Sequence, residues 1–178
     1  MENILYLGRP LKVTDRLEKE IRVYDLLDEL GISYQRVDHE ALATMDACQE
    51  VDRLLEVNMC KNLFLSNEQK TKFYLLLMPG DKKFKTKDLS KQIGSARLSF
   101  GSYEDMEKYL DITPGSVSIM GVNDKDNQVQ LLLDEDITKE EYLACHPCIN
   151  TSSIKIKMED VLKRFLPAVG HEPIVVNL

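Results

Sequence analysis

The chain has 178 residues, four cysteines and a net charge of −7 from 23 basic and 30 acidic side chains. That length buries roughly two-thirds of the surface an unfolded chain exposes, so a core needs no disulfide or metal staple. The acidic balance excludes a protein that grips duplex DNA through a broad basic face, and unpaired cysteines, no secretory leader in "MENILYLGRP" and no span-length apolar run predict a cytoplasmic protein.

Thr14 is read as the N-cap of a first helix, with Asp15 and Glu18 in its first turn, Leu17, Ile21, Tyr24, Leu27 and Leu30 at helical spacing, and Gly31 as the stop. "ISYQRV" (32–37) reads as a strand, and a second helix starts near Thr44 and runs through Val51 and Leu55. "KNLFLS" and "KFYLLLM", split by the polar "NEQKT", form a hairpin whose second strand is apolar on both faces and so central in a sheet. "TKDLSKQIG" and "SYEDMEKYL" are short helices capped by Thr86 and Ser102. "ITPGSVSIMGVNDKDNQVQLLLDED" reads as a Pro-Gly turn, a strand, a hairpin turn at Asn123 to Asn127 and a second strand. Thr138 and Glu141 have capping-box spacing and open a helix that ends before Pro147. "SSIKIKM" alternates as a strand, "MEDVLKRFL" is a last amphipathic helix, and "HEPIVVNL" either completes a sheet or hangs free. Irregular interleaving of strands and helices, with no internal repeat or linker, predicts one α+β domain over residues 1–178 built on a mixed sheet.

Cys145 and Cys148 in "CHPCINTSS" offer a redox or metal motif. A redox pair of this kind needs a helix N-terminus to lower the attacking thiol's pKa, whereas this one follows the end of a predicted helix. The other ligand candidates, Cys48, Cys60, His39 and His171, include no second tight pair for zinc. A zinc deaminase needs H-x-E, but Glu40 directly follows His39 and Ala41 takes the required place. Packing cysteines, no metal and no cofactor are therefore expected. The stretch "DKKFKTKDLSKQIGSAR" carries Lys82, Lys83, Lys85, Lys87, Lys91 and Arg97, either a solvated face or a phosphate contact. Lys61 heads an apolar strand, where a lysine either snorkels or aims its charge into a cleft to hold a phosphate or oxyanion. Gly115 in "TPGSVS" marks an ordinary turn or a close backbone approach to a ligand, and His146 titrates near neutrality.

In this order, "LGISYQRVDHEALAT", "KNLFL", "KFYLLLMPGDKKF", "PGSVSIMGVND" and "HPCINTSS" resemble the YbaK and ProX group of aminoacyl-tRNA deacylases, whose domain is shared with the editing insertion of bacterial prolyl-tRNA synthetases. The resemblance spans about residues 15 to 167 and is strongest to the ProX branch. It implies a mixed, partly barrel-like sheet surrounded by helices, and trans hydrolysis of mischarged tRNA(Pro), Ala-tRNA(Pro) first, at the CCA end. Cys-tRNA(Pro) or another aminoacyl-tRNA of the same fold, or a non-catalytic tRNA- or synthetase-binding module, are the alternatives. The family's strand lysine and its following asparagine fall on Lys61 and Asn62. Its loop glycine falls on Gly115, with Ser116 and Val117 beside it, and its histidine and Asn-Thr pair on His146, Asn150 and Thr151. His39 and Thr44 resemble the pair bordering the aminoacyl pocket. The resemblance implies Lys61 and His146 as catalytic groups, the others as substrate-binding groups, Lys82 to Lys91 as phosphate contacts, and the tRNA acceptor end and prolyl-tRNA synthetase as partners. Ile119 stands where G-x-x-x-P expects proline, which leaves loop rigidity and the preference for alanine open.

Overall fold

The computed structural model describes residues 3–41, 45–58, 60–113, 115–122 and 128–178. In chain order the strands are β1 (Leu5–Leu7), β2 (Tyr34–Asp38), β3 (Cys60–Asn67), β4 (Phe73–Pro79), β5 (Leu98–Phe100), β6 (Val129–Asp134), β7 (Tyr142–Cys145), β8 (Ser152–Lys157) and β9 (Ile174–Val176). The helices are α1 (Glu18–Glu29), α2 (Met45–Leu55), α3 (Thr86–Ile93), α4 (Tyr103–Leu110) and α5 (Glu135–Thr138). A last helix starts as α6 (Met158–Asp160), passes through a π segment (Val161–Phe165) and ends as α7 (Leu166–Val169).

Strands β1-β2-β8-β7 make an antiparallel sheet. A second sheet, β5-β3-β4-β6-β9, is antiparallel from β5 to β4 and parallel from β4 to β9. This is the mixed-sheet α+β architecture expected from the sequence, with the two sheets sharing one core rather than closing into a barrel. Strand β4 explains the layering. Leu75 and Leu77 pack into the main core with Tyr24, Phe64, Ile154 and Phe165, while Leu76 and Met78 pack on the other face with Leu89 of α3, Leu98 and Val176. Alternate residues of a strand point to opposite faces, so a strand apolar at every position must be covered twice. Helix α2 covers the first sheet from outside, where Val51 and Leu55 meet Val37 and Ala144.

Several expectations are corrected at the helix ends and in the segment after Gly115. Thr14 does not cap α1, whose cap position is Leu17, and Thr86 is the first residue of α3 rather than its cap. Ser102 does cap α4, accepting the Asp105 amide at 3.1 Å. The strand expected after Gly115 is instead a 3-10 turn, Ile119–Gly121, closed by the Ser118 hydroxyl accepting from the Met120 amide. It packs on the end of α4, where a Cβ on Gly121 would stand 2.8 Å from the Leu110 carbonyl. The hairpin turn at Asn123 to Asn127 lies outside the described residues, but among the described residues β6 has no antiparallel partner and runs parallel to β4 and β9. Asp134 rather than Thr138 caps α5, accepting the Asp136 amide at 2.8 Å. The helix therefore ends at Thr138, and the residues read as its continuation form β7. The tail completes the second sheet as β9.

Candidate active site

Helix α2 (Cys48, Val51, Asp52), the start of β3 (Cys60, Lys61, Asn62), Gly80 after β4, the end of β7 with its turn (Ala144, Cys145, His146) and Ser153 of β8 line a cavity of about 270 Å³. The pairing of β3 with β4 and of β7 with β8 brings these segments to one place. The Lys61 ammonium donates to the Lys82 carbonyl at 2.5 Å, which pins the charge to the turn after β4. Asn62 Oδ1 is buried and has no hydrogen-bond partner among the described residues. Such an acceptor costs about 1–3 kcal/mol until a donor reaches it.

His146 Nδ1 lies 2.8 Å from the Ser152 carbonyl. A carbonyl only accepts, so Nδ1 carries the hydrogen and Nε2 keeps its lone pair. Burial lowers the pKa of His146, with the nearby His39 adding to the effect, so the ring is neutral at pH 7. His39 is fixed in the same tautomer by the Glu40 carbonyl, 2.7 Å from its Nδ1, and its Nε2 accepts the Ser153 hydroxyl at 2.9 Å. The two rings stand 6.1 Å apart with Ser153 between them. Next to His39, burial opposes ionisation of Asp38, but hydrogen bonds from Arg16, Arg36 and Ser152 outweigh it and hold that carboxyl well below the usual range. This ionic cluster clamps β2 to β8 at the end from which both histidines emerge.

The thiols are inert packing groups. Burial pushes Cys60 and Cys145 up to about 12 and Cys148 up to about 11. Cys145 ends a strand and Cys148 sits in the next turn with φ 64°, so neither has a helix N-terminus to stabilise a thiolate. Among the described residues no group of three or more His, Cys, Asp or Glu side chains is placed to hold a metal ion.

Of the residues expected at the site, Lys61, Asn62 and His146 line the cavity and His39 joins it through Ser153. Gly115 lies one layer behind, with φ 82° and its missing Cβ position 3.7 Å from Asn150 Nδ2. The Thr113 amide donates to the Cys148 carbonyl at 3.2 Å, so this loop buttresses the turn that carries His146. Ser116 is fully buried, and both its amide and its hydroxyl donate to the Thr113 carbonyl, at 3.1 and 2.7 Å. Val117 packs against the main core, and Thr44 lies outside the described residues. Lys82 is tied to acidic partners. Its ammonium is held by Asp134 at 3.0 Å, Asp136 at 2.7 Å and the Leu178 carbonyl at 3.0 Å, leaving no free charge for phosphate. Lys83, Lys85, Lys87 and Lys91 are exposed and make no ion pair among the described residues.

Among the lining residues not expected from the sequence are Ser153, which bonds His39, and one carboxylate. Asp52 reaches the cavity from α2, and burial pushes its carboxyl up to about 6. The sequence did hold a sign of it: Asp52 follows the core residue Val51, so it sits at the edge of the helix's buried stripe rather than on its solvent face.

A pinned cation and a neutral imidazole on one small cavity suit hydrolysis of an already activated ester, and on this fold the class is that of the aminoacyl-tRNA deacylases. Residues 39–164 match the aminoacyl-tRNA editing domain, and the chain belongs to that family. It is 34% identical over 146 residues to the prolyl-tRNA editing protein ProX of Acetoanaerobium sticklandii, covering 82% of this chain and 88% of that protein. It is 28% identical over 155 residues to prolyl-tRNA synthetase associated domain-containing protein 1 of Mus musculus, covering 85% and 91%. A solved structure described as a candidate trans-editing enzyme for prolyl tRNA synthetase shares the fold with a TM-score of 0.67 at 17% identity, covering 91% of this chain and 97% of that one.

Proposed function

We propose that the chain clears mischarged tRNA(Pro) in trans, with Ala-tRNA(Pro) as its first substrate and prolyl-tRNA synthetase as a partner. The observation that carries this reading is the cavity of about 270 Å³ holding Lys61, Asn62 and His146 together. An aminoacyl ester on a ribose needs little chemical activation, so catalysis reduces to placing a water and stabilising the tetrahedral oxyanion. Lys61, held by the Lys82 carbonyl, supplies the positive charge for the oxyanion or the terminal phosphate. His146 Nε2 accepts a proton from the attacking water or orients the terminal ribose, and Asn62 Oδ1 takes a hydrogen bond from the substrate. A synthetase separates small side chains poorly by binding alone, at about 1–3 kcal/mol per methylene, so a second site that clears the wrong ester is called for. Ile119, which stands where the family loop has proline, is fully buried in the main core and is not among the residues lining the cavity.

Hydrolysis of Ala-, Cys- and Pro-tRNA(Pro) by the purified protein tests the proposal. Ala-tRNA(Pro) should be cleared fastest and Pro-tRNA(Pro) spared. Replacing Lys61 by Ala should lower turnover by about 100-fold or more with an unchanged melting temperature. Faster clearance of Cys-tRNA(Pro) would reassign the substrate, and esters that outlast the no-enzyme control would remove the enzyme reading.

A further inference from the structure

The cavity contains a charge that the proposed chemistry does not use. Asp52 lines it, and among the described residues its side chain makes no hydrogen bond or ion pair, including with Lys61, whose ammonium donates to the Lys82 carbonyl. Burial alone accounts for the raised pKa of this carboxyl; no neighbouring cation offsets it. A carboxylate withdrawn from water without a partner is costly, and folds keep such groups where a ligand supplies the missing charge. The same cavity holds a second unanswered acceptor, the buried Asn62 Oδ1. Two acceptors, one anionic, call for a compact cation with several N–H donors.

On the reading that the cavity takes an aminoacyl ester, we infer that Asp52 binds the substrate's α-ammonium, with Asn62 Oδ1 as a second acceptor. The ammonium is the one cationic group on such an ester, and it sits on the carbon next to the carbonyl under attack. Holding it from α2 turns the carbonyl toward the β3 side of the cavity, where Lys61 stands, and makes a free amino group a condition of cleavage. Asp52 is thus a specificity residue that separates aminoacyl esters from N-blocked ones, independently of side-chain size.

The test compares Ala-tRNA(Pro) with N-acetyl-Ala-tRNA(Pro), which keeps the ester and the side chain but has no ammonium. The native protein should cleave the free-amine ester about tenfold faster or more. Asp52→Asn, with Asp52→Ala as a second neutral variant and melting curves as a check on folding, should lose that factor on the free amine and leave the N-acetyl rate unchanged. Equal rates on both esters in the native protein would overturn the inference while leaving the deacylase reading intact. An equal loss on both esters in the variants would also overturn it, making Asp52 a general base or a structural group. Cleavage of neither ester by the native protein would fail the deacylase reading first, and this inference with it.

Discussion

At residue scale the segment Cys145 to Cys148 holds a histidine proposed to act in catalysis between two packing thiols. His146 is held in one tautomer by the Ser152 carbonyl, while the flanking thiols are buried with raised pKa values. Replacing His146 by Ala should therefore lower deacylation by about 100-fold, the scale of a lost acid-base group. The Cys145→Ala and Cys148→Ala pair should keep turnover within about threefold while lowering the melting temperature, because each change empties part of a packed site. Serine would be a poorer probe, since a hydroxyl buried there needs a partner the thiol does not. A rate loss in the alanine pair matching that of the histidine variant would return the thiols to the mechanism. The histidine and Lys61 were visible in the sequence only because motifs around them resemble a family; spacing alone left each with an ordinary explanation. Asp52 was passed over for the opposite reason. A carboxylate on an amphipathic helix reads as solvated, and only the approach of β3 and β7 encloses it.

At the scale of elements, legibility followed how local each decision was. The β3–β4 hairpin and α2 to α4 are set by nearby turn residues, apolar periodicity and short connections, and they appear where the sequence puts them. The misread segments were decided at a distance. Residues 119–121 turn because they pack on α4, and α5 starts early because Asp134 takes the cap at the end of a strand. Strand β9 extends that dependence to the site. It pairs with β6 in parallel, buries Val176 in the second core and brings the Leu178 carbonyl to Lys82. The Asn177 amide also donates to the Gln92 side chain of α3 at 2.8 Å. The Lys82 backbone in turn holds Lys61, so the tail braces the turn on which the proposed catalytic cation rests. A chain ending at residue 172 should melt about 4–8 °C lower, from the loss of one buried valine and an edge strand. It should also lose turnover severalfold with little change in KM, because the cation loses its fixed position rather than its charge. An unchanged rate in the truncated chain would make β9 a stabilising strand and nothing more.

At the scale of the molecule, an acidic chain proposed to act on a polyanion needs a local basic surface, and the proposed one is a single strip. The net charge is −7, yet Lys83, Lys85, Lys87 and Lys91 follow the turn that carries Lys82 and are exposed with no ion pair among the described residues. Lys82 is excluded from that surface by Asp134 and Asp136, so the strip begins one residue beyond the carbonyl that grips Lys61. Phosphates of an acceptor end whose ester lies in the cavity would pass over this strip first. Neutralising about three or four phosphates gives a salt dependence of binding with a log-log slope of about −2 to −4, taking about −0.7 to −0.9 per contact. Replacing Lys83, Lys85, Lys87 and Lys91 together by alanine should bring that slope close to zero and raise KM for Ala- and Cys-tRNA(Pro) by the same factor. It should leave the ratio between them alone, because a phosphate contact carries no information about the amino acid. Titrating tRNA binding against salt in both proteins checks this directly. A variant that keeps the native slope would place the tRNA on another face, and one that changes the amino-acid preference would mean that the strip shapes the cavity rather than holding the backbone.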